Sequence, residues 1–323
     1  MNLQTQIPIT KEVYNPINYD SKTLLLGSCF SENIGDKLDY FKFQTNQNPF
    51  GILFHPKAIE TLITNAINDK EYSDVDIFFL NERWHCFEAH SSLSSPDKED
   101  LLKSLNQQIK SANKQLHGST HLIITLGTAW MYRFIETDVI VANCHKVPQK
   151  KFLKEILSVD EITESLENVI SLIKSINKKI TITFTVSPVR HLKDGFVQNQ
   201  QSKSHLLAAI HQVIEARNRV HYFPSYEIVM DELRDYRFYA EDLIHPSKTA
   251  INYIWGKFID SWISESSIET MKEIETIQRG LNHRPFNPYS EQHQQFLGSL
   301  QRKIEDVKKR HPFIKFDDYS SLK

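Results

Sequence analysis

The sequence has few cysteines and no pattern that would pair them. Its 323 residues include only Cys29, Cys86 and Cys144, which lie far apart and form no C-x-x-C motif. An odd number of thiols, in a chain long enough to bury a full core, argues against a disulfide framework. Reduced thiols are the simplest expectation, and we predict a cytoplasmic protein.

Long apolar runs and clustered charge are also missing. No stretch approaches the ~18 consecutive apolar residues of a membrane span, and residues 1–10 lack the basic start and apolar core of a secretory signal. The 38 basic and 40 acidic residues nearly balance, and the basic ones are dispersed among the acids. We therefore expect neither a membrane nor a nucleic acid as a partner.

A strand-to-helix turn near the N-terminus carries two candidate nucleophiles. Residues 23–26 form a short apolar run typical of a buried parallel strand. Gly27, Ser28 and Cys29 follow, and Ser31 is predicted to cap the next helix. The N–H groups and dipole of a helix N-terminus favour a thiolate or an oxyanion. Taken alone, the stretch also fits a simple turn beside a buried structural cysteine.

Strands and helices alternate along most of the chain. The predicted strands are 23–26, 121–126, 180–186 and 220–223, and the predicted helices include 94–118, 159–176, about 202–217 and the segment after Ser247. This order predicts a three-layer α/β/α sandwich with a mainly parallel sheet over residues 1–264. Aromatic residues suggest an inserted hairpin near 76–90. Residues 265–323 are predicted to be a helical extension that packs on this domain, self-associates or contacts a partner.

The predicted strands end in polar residues that should meet at one edge of the sheet. Ligands of such sheets bind at the carboxyl ends of the strands, which here are residues 27–29, 127–129 and 187–190. Arg190 is placed either to hold a substrate carboxylate or phosphate or to make a structural ion pair. The amide-rich loop that ends in Asn48–Gly51 either presents backbone N–H groups to a ligand or is an ordinary turn.

An acid and a base are spaced three residues apart before the last predicted helix of the domain. Asp242 can reach one ring nitrogen of His245, while the other nitrogen faces the first turn. A surface acid and a capping histidine are the alternative interpretation of the pair. The neighbours Cys144 and His145 point in opposite directions along an extended chain, so we expect no metal, and nothing indicates another cofactor.

Several short motifs together resemble one family. They are Gly27–Phe30, Asn48–Gly51, Thr125–Trp130, Asn143–Pro148, Ser187–Arg190 and Asp242–Ser247. In this order they look like the GSCFA family within the SGNH/GDSL hydrolase superfamily, over most of residues 20–262. The resemblance implies an SGNH-type, flavodoxin-like fold and covalent acyl transfer.

The resemblance also implies roles for individual residues. Cys29 stands where the superfamily has its nucleophilic serine, with Ser28 as the alternative nucleophile, His245 as general base and acid, and Asp242 as the orienting acid. A helix N-terminus near His245 should lower the pKa of Cys29.

The substrate-binding residues implied in the same way include one departure from the superfamily. Ala129 replaces its oxyanion-binding asparagine. The implied oxyanion and substrate-binding residues are Gly51, Gly127, Thr128, Asn48 and Arg190.

Two functions follow as expectations. The first is an acyl-ester hydrolase or acyltransferase that acts on an O-acylated carbohydrate or a small ester. The second is a non-catalytic ligand-binding or regulatory protein that keeps the scaffold, because loss of one oxyanion donor can slow catalysis by about 10²–10³.

Overall fold

The computed structural model of the chain describes residues 5–316. Its strands, in chain order, are β1 (Lys22–Gly27), β2 (Gln44–Gln47), β3 (Ile77–Leu80), β4 (Arg83–Cys86), β5 (His121–Leu126), β6 (Trp130–Phe134), β7 (Val139–Val141), β8 (Phe152–Ile156), β9 (Thr181–Val186) and β10 (Val220–Tyr222). Its helices are α1 (Cys29–Tyr40), α2 (Pro56–Ile67), α3 (Lys98–Gly118), α4 (Val159–Ile176), α5 (Phe196–Val213), α6 (Ser225–Glu227), α7 (Lys248–Trp262), α8 (Glu265–Leu281) and α9 (Glu291–Arg310).

Five parallel strands form the central sheet, in the order β10-β9-β5-β1-β2. Counted along the chain within this sheet, the order is 2-1-3-4-5, which is the flavodoxin-like arrangement. The direction of winding reverses between β1 and β5, where Gly27 lies opposite Thr125. Ligand sites of such sheets lie at this switch point. The predicted α/β class with a parallel sheet is confirmed.

Helices cover both faces of the sheet. Because side chains alternate along a strand, Leu24, Leu26 and Ile124 face one core with α2, α3, α4 and α5. Leu25 and Ile123 face the other core, which α1, α7, α8 and α9 complete. The C-terminal helices therefore share an apolar core with this face of the sheet. How the chain divides into domains stays a prediction.

Two parts of the chain contain strands that the sequence did not predict. The polar residues of β2, within the predicted amide-rich loop, extend the parallel sheet at its edge. Strands β6, β7 and β8 form a separate antiparallel sheet between β5 and α4. Strands β3 and β4 pair as an antiparallel hairpin.

Helix boundaries differ at two places that matter for the site. Helix α1 begins at Cys29 and its N-cap is Ser28, whose hydroxyl accepts a hydrogen bond from Phe30 N–H, so the prediction of Ser31 as the cap is wrong. Helix α5 begins at Phe196, earlier than predicted, after Gly195 at φ +105°. This start brings Ser202 and Lys203 inside the helix.

We expect Gly27→Ala to destabilise the protein by about 2–4 kcal/mol. Gly27 has φ +131°, and a Cβ there would lie 2.1 Å from Thr125 O. The control is Gly256→Ala inside α7, where a Cβ meets no atom within 4 Å and alanine favours the helix by up to ~1 kcal/mol. Chemical denaturation of both variants measures the difference. Equal stability of the two variants would contradict the close approach of β1 and β5.

Candidate functional site

The turn between β1 and α1 is fastened by the loop after β2. Asn48 Oδ1 accepts a hydrogen bond from Gly27 N–H at 2.9 Å, and Asn48 Nδ2 donates to Glu32 Oε1 at 3.3 Å. Asn48 has a positive φ of 42°, a conformation that asparagine tolerates better than most residues. Asn48 therefore stabilises the connection between β1 and α1, and it orients the side chain of Glu32 in the first turn of that helix.

The two candidate nucleophiles occupy different environments at this turn. Ser28 is buried, and its hydroxyl is engaged in capping the helix. Cys29 is the first residue of α1 and is half-buried. A backbone N–H at this position has no partner within its helix, and the N–H groups of Cys29 and Phe30 both favour the thiolate of Cys29.

Burial nevertheless makes the Cys29 thiol a weaker acid than a free thiol. Desolvation is the main cause that raises its pKa, and the carboxylate of Glu32 raises it further. The backbone N–H groups and Lys203 act in the opposite direction but do not reverse the shift. The expectation of a lowered pKa at Cys29 is therefore wrong, because desolvation outweighs the helix N-terminus.

The candidate oxyanion donors are already hydrogen-bonded. Gly127 N–H donates to Phe54 O at 2.7 Å, and Gly51 N–H donates to Asn48 O at 2.8 Å. Thr128 is buried, and its hydroxyl lies 2.9 Å from the hydroxyl of Ser202.

Ser202 also holds the backbone of Ala129. Its hydroxyl accepts a hydrogen bond from Ala129 N–H at 2.7 Å. An oxyanion role for Gly51, Gly127 or Thr128 stays a prediction, and it requires these bonds to be exchanged.

Lys203 lies beneath the turn, with 1% of its surface exposed. Its Nζ donates to Gly127 O at 2.6 Å and to Ser187 O at 2.7 Å, so it joins the carboxyl ends of β5 and β9. Desolvation lowers the pKa of Lys203 to about 7, and the nearby Cys29 raises it slightly against this trend. The buried amine is thus an electrostatic neighbour of the thiol.

His191 connects this cluster with the loop before α7. Burial lowers the pKa of its imidazole to about 3, and both Lys203 and His245 lower it further. A Cβ at Gly127 would lie 3.1 Å from His191 Nε2. Cys29 follows β1, His191 follows β9, and Lys203 bonds the ends of β5 and β9. The backbone next to His245 is bonded to Arg190, so these four groups lie at the carboxyl edge of the sheet.

Asp242 and His245 form the expected pair. His245 Nδ1 lies 2.7 Å from Asp242 Oδ2, while Asp242 Oδ1 accepts the backbone N–H groups of Ile244 and His245. The bond to the His245 ring and these backbone bonds lower the pKa of Asp242 to about 2. Both side chains are about half exposed, at 50% for His245 and 44% for Asp242. The carboxylate fixes the ring and leaves Nε2 available.

Arg190 holds the loop that carries this pair. Its backbone N–H donates to Ile244 O at 3.3 Å, and Nη1 donates to Leu243 O at 3.4 Å. The guanidinium lies 4.2 Å from the ring centroid of Tyr239. Within residues 5–316 it makes no ion pair.

Comparison with family models covers most of the chain. The model described as the GSCFA family matches residues 22–258, and the one described as GSCFA domain protein, C-terminal domain, matches residues 274–319. The chain belongs to the GSCFA family. A search of curated proteins gave no match.

Sequence reasoning missed three residues of this GSCFA site, which are Ser202, Lys203 and His191. A signal for Lys203 was present, because it lies three and seven residues before Leu206 and Ile210 on the apolar stripe of α5. A lysine on such a stripe either reaches the surface or has backbone partners. Nothing in the sequence distinguished His191 from the other histidines.

The described residues offer neither a membrane span nor a metal cluster. No helix within residues 5–316 is long and apolar enough to span a bilayer. In the same range, no group of three or more His, Cys, Asp or Glu side chains is arranged to hold a metal ion.

We expect Lys203→Met to remove a rise in stability with pH. Because the pKa of Lys203 is about 7 in the folded protein and ~10.4 in an unfolded chain, the unfolded state binds more protons between these values. Wild-type stability relative to the variant should therefore increase from pH 7 to pH ~10, by at most ~1.4 kcal/mol per pH unit. Urea denaturation across this range measures it.

The control for this experiment is Lys110→Met on the exposed face of α3. A constant difference in unfolding free energy between wild type and Lys203→Met from pH 7 to pH ~10 would contradict the burial of a titrating amine.

We also expect Glu32→Gln to lower the pKa of Cys29, since the Glu32 carboxylate raises it. The rate of iodoacetamide alkylation against pH, followed by peptide mapping, measures the pKa at each cysteine. Asp36→Asn on the same helix is the matched control. A pKa of wild-type Cys29 below ~8.5 would refute this account.

Proposed function

We propose that this GSCFA protein transfers acyl groups through a covalent intermediate on Cys29. The observation that carries the proposal is the Asp242–His245 pair, whose imidazole is oriented by a 2.7 Å bond at the edge of the sheet where Cys29 begins α1. A nucleophile, a base and an orienting acid are the side chains that acyl transfer requires. The proposal includes a distant relationship to the SGNH/GDSL superfamily, which rests on the resemblance alone.

The structure favours Cys29 over Ser28 as the nucleophile. Ser28 is 2% exposed and caps α1 with its hydroxyl, so an attack would cost the helix its cap, worth about 1 kcal/mol. Cys29 is half-buried, and within residues 5–316 its thiol forms no disulfide. Sulfur is also the better nucleophile once deprotonated.

The raised pKa of Cys29 gives His245 a defined task. Because the thiol is protonated at neutral pH, a base must take its proton as sulfur attacks the ester carbonyl. Nε2 of His245 accepts that proton, while Asp242 stabilises the charged ring. The imidazolium then protonates the departing alkoxide as the carbon–oxygen bond breaks, and Cys29 keeps the acyl group as a thioester.

The second half of the reaction restores the thiol. A water molecule or an acceptor hydroxyl gives its proton to His245 and attacks the thioester carbonyl, and the sulfur leaves as it regains a proton. Water as the acceptor gives hydrolysis, and a hydroxyl gives transfer. O-acylated carbohydrates and small esters are the substrates that we propose, in line with the resemblance.

Stabilisation of the oxyanion would depend mainly on the first turn of α1. The N–H of Cys29 sits at the helix start, where the dipole favours negative charge. Donors near β5 are engaged with Phe54 and Ser202. With Ala129 in place of an asparagine, we expect slow turnover.

The test is acylation by p-nitrophenyl acetate. We expect release of nitrophenolate with a burst, and one acetyl group on Cys29 by intact mass and peptide mapping. Cys29→Ala should abolish the adduct, His245→Ala should slow its formation by about 10²–10⁴, and Ser28→Ala should retain it. Alkylation of Cys29 by iodoacetamide in each variant that retains the thiol checks that it stays accessible.

Two results would contradict this proposal. Acetylation of Ser28 would identify Ser28, and not Cys29, as the nucleophile. Equal rates of Cys29 acetylation in wild type and His245→Ala would show that His245 is not the base.

The alternative is a protein that binds a ligand at the same edge without turnover. The donors at Gly51, Gly127 and Thr128 favour this alternative, because they are already hydrogen-bonded within the protein and do not form a preformed oxyanion site. No adduct with several acyl donors, in a protein whose Cys29 still reacts with iodoacetamide, would select this alternative.

A further inference from the structure

Two small clefts flank the loop that carries His245. One has a volume of about 220 Å³ and the other about 200 Å³. They share the walls Arg190, Met230 and Tyr236. Pockets for drug-sized ligands usually measure ~300–1,000 Å³, so each cleft fits a small group rather than a whole large molecule.

The first cleft borders residues that hold the edge of the sheet together. Lys203 lies on its wall, together with Tyr226 and Phe196, and its Nζ bonds the ends of β5 and β9. Arg190, on the same cleft, is hydrogen-bonded to the loop that carries His245. The cleft therefore lies at the same edge of the sheet as the proposed acid–base pair.

Two arginines supply positive charge to the clefts. Arg190 lines both clefts, and Arg234 lines the second. Among residues 5–316 neither arginine makes an ion pair. The acid on these walls is Asp235, which lies 3.6 Å from Arg237 and accepts its backbone N–H. A bound anion would supply the missing charge.

The remaining walls are aromatic or apolar. The ring of Tyr236 separates the clefts and is 66% exposed, and its centroid lies 5.7 Å from the Arg190 guanidinium. Phe196 is 71% exposed at the rim. Exposed aromatic rings beside an unpaired guanidinium suit a ligand that joins a flat or apolar body to an anionic group.

We propose that these clefts form a subsite for a carboxylate or phosphate on a compact aromatic or apolar body. Arg190 binds the anion, Arg234 assists from the second cleft, and Tyr236 packs against the body. This inference rests on the proposed function in one respect, since it identifies the acyl substrate of Cys29 as anionic. The binding itself does not require turnover.

The experiment titrates phenyl phosphate into the Cys29→Ala variant by calorimetry, with benzyl alcohol as a neutral analogue and inorganic phosphate as an anion without a ring. A charge-assisted hydrogen bond is worth ~1.5–3 kcal/mol, so phenyl phosphate should bind at least ~10-fold more tightly than benzyl alcohol. Arg190→Gln should remove this advantage. Arg234→Gln, at an exposed position, should weaken binding about 2–5-fold.

The matched control is Arg217→Gln, an exposed arginine that precedes β10 at the opposite edge of the sheet. It should leave the affinity unchanged. Tyr236→Ala is a second test that does not depend on correct folding of the Arg190 variant. It should weaken the binding of phenyl phosphate but not that of inorganic phosphate.

Equal affinities for phenyl phosphate and benzyl alcohol would overturn the subsite, and so would an equal loss in Arg217→Gln and Arg190→Gln. Binding without acylation of Cys29 in wild type would keep the subsite and reject the enzyme. Acylation of Cys29 without binding of phenyl phosphate would keep the enzyme and reject the subsite.

Discussion

The buried amine of Lys203 is the contact on which the geometry of the site depends. Its two short bonds, to Gly127 O and Ser187 O, join the ends of neighbouring strands β5 and β9. Leaving either carbonyl unpaired in the interior would cost ~1–3 kcal/mol. The neighbouring residue Ser202 fixes Thr128 and Ala129. Two consecutive residues of α5 thus hold four strand-end residues in place.

At this edge of the sheet, burial raises the pKa of the acidic group Cys29 and lowers the pKa of the basic groups Lys203 and His191. Desolvation keeps Cys29 protonated and pushes Lys203 towards its neutral form, while His191 stays uncharged. The exposed Asp242 keeps its charge because it is hydrogen-bonded to His245. A neutral interior beside an exposed, ionised carboxylate suits a reaction in which charge develops only when substrate binds. Preorganised surroundings of this kind contribute most to catalysis.

Much of the fold could be predicted from the sequence, but the partners of its polar residues could not. Apolar runs such as 121–126 identify strands because their burial is continuous. β2 escaped prediction because it is polar at an exposed edge, where backbone pairing with β1 decides its structure. The Asp242–His245 contact follows from spacing within one turn. The role of Lys203 depends on two carbonyls remote in sequence, so no local pattern reveals it.

The wide separation of Cys29 and His245 along the chain has a consequence for biosynthesis. Roughly 200 residues must be translated between them, which takes about 10–40 s at ~5–20 residues per second. Until β5 and α5 have been translated, the thiol lacks the buried surroundings that suppress its ionisation. Cys29 on the ribosome is therefore at first an ordinary cysteine, open to cellular oxidants and electrophiles. Both elements precede residue 245 in the chain, so the thiol can be shielded before its base has been made.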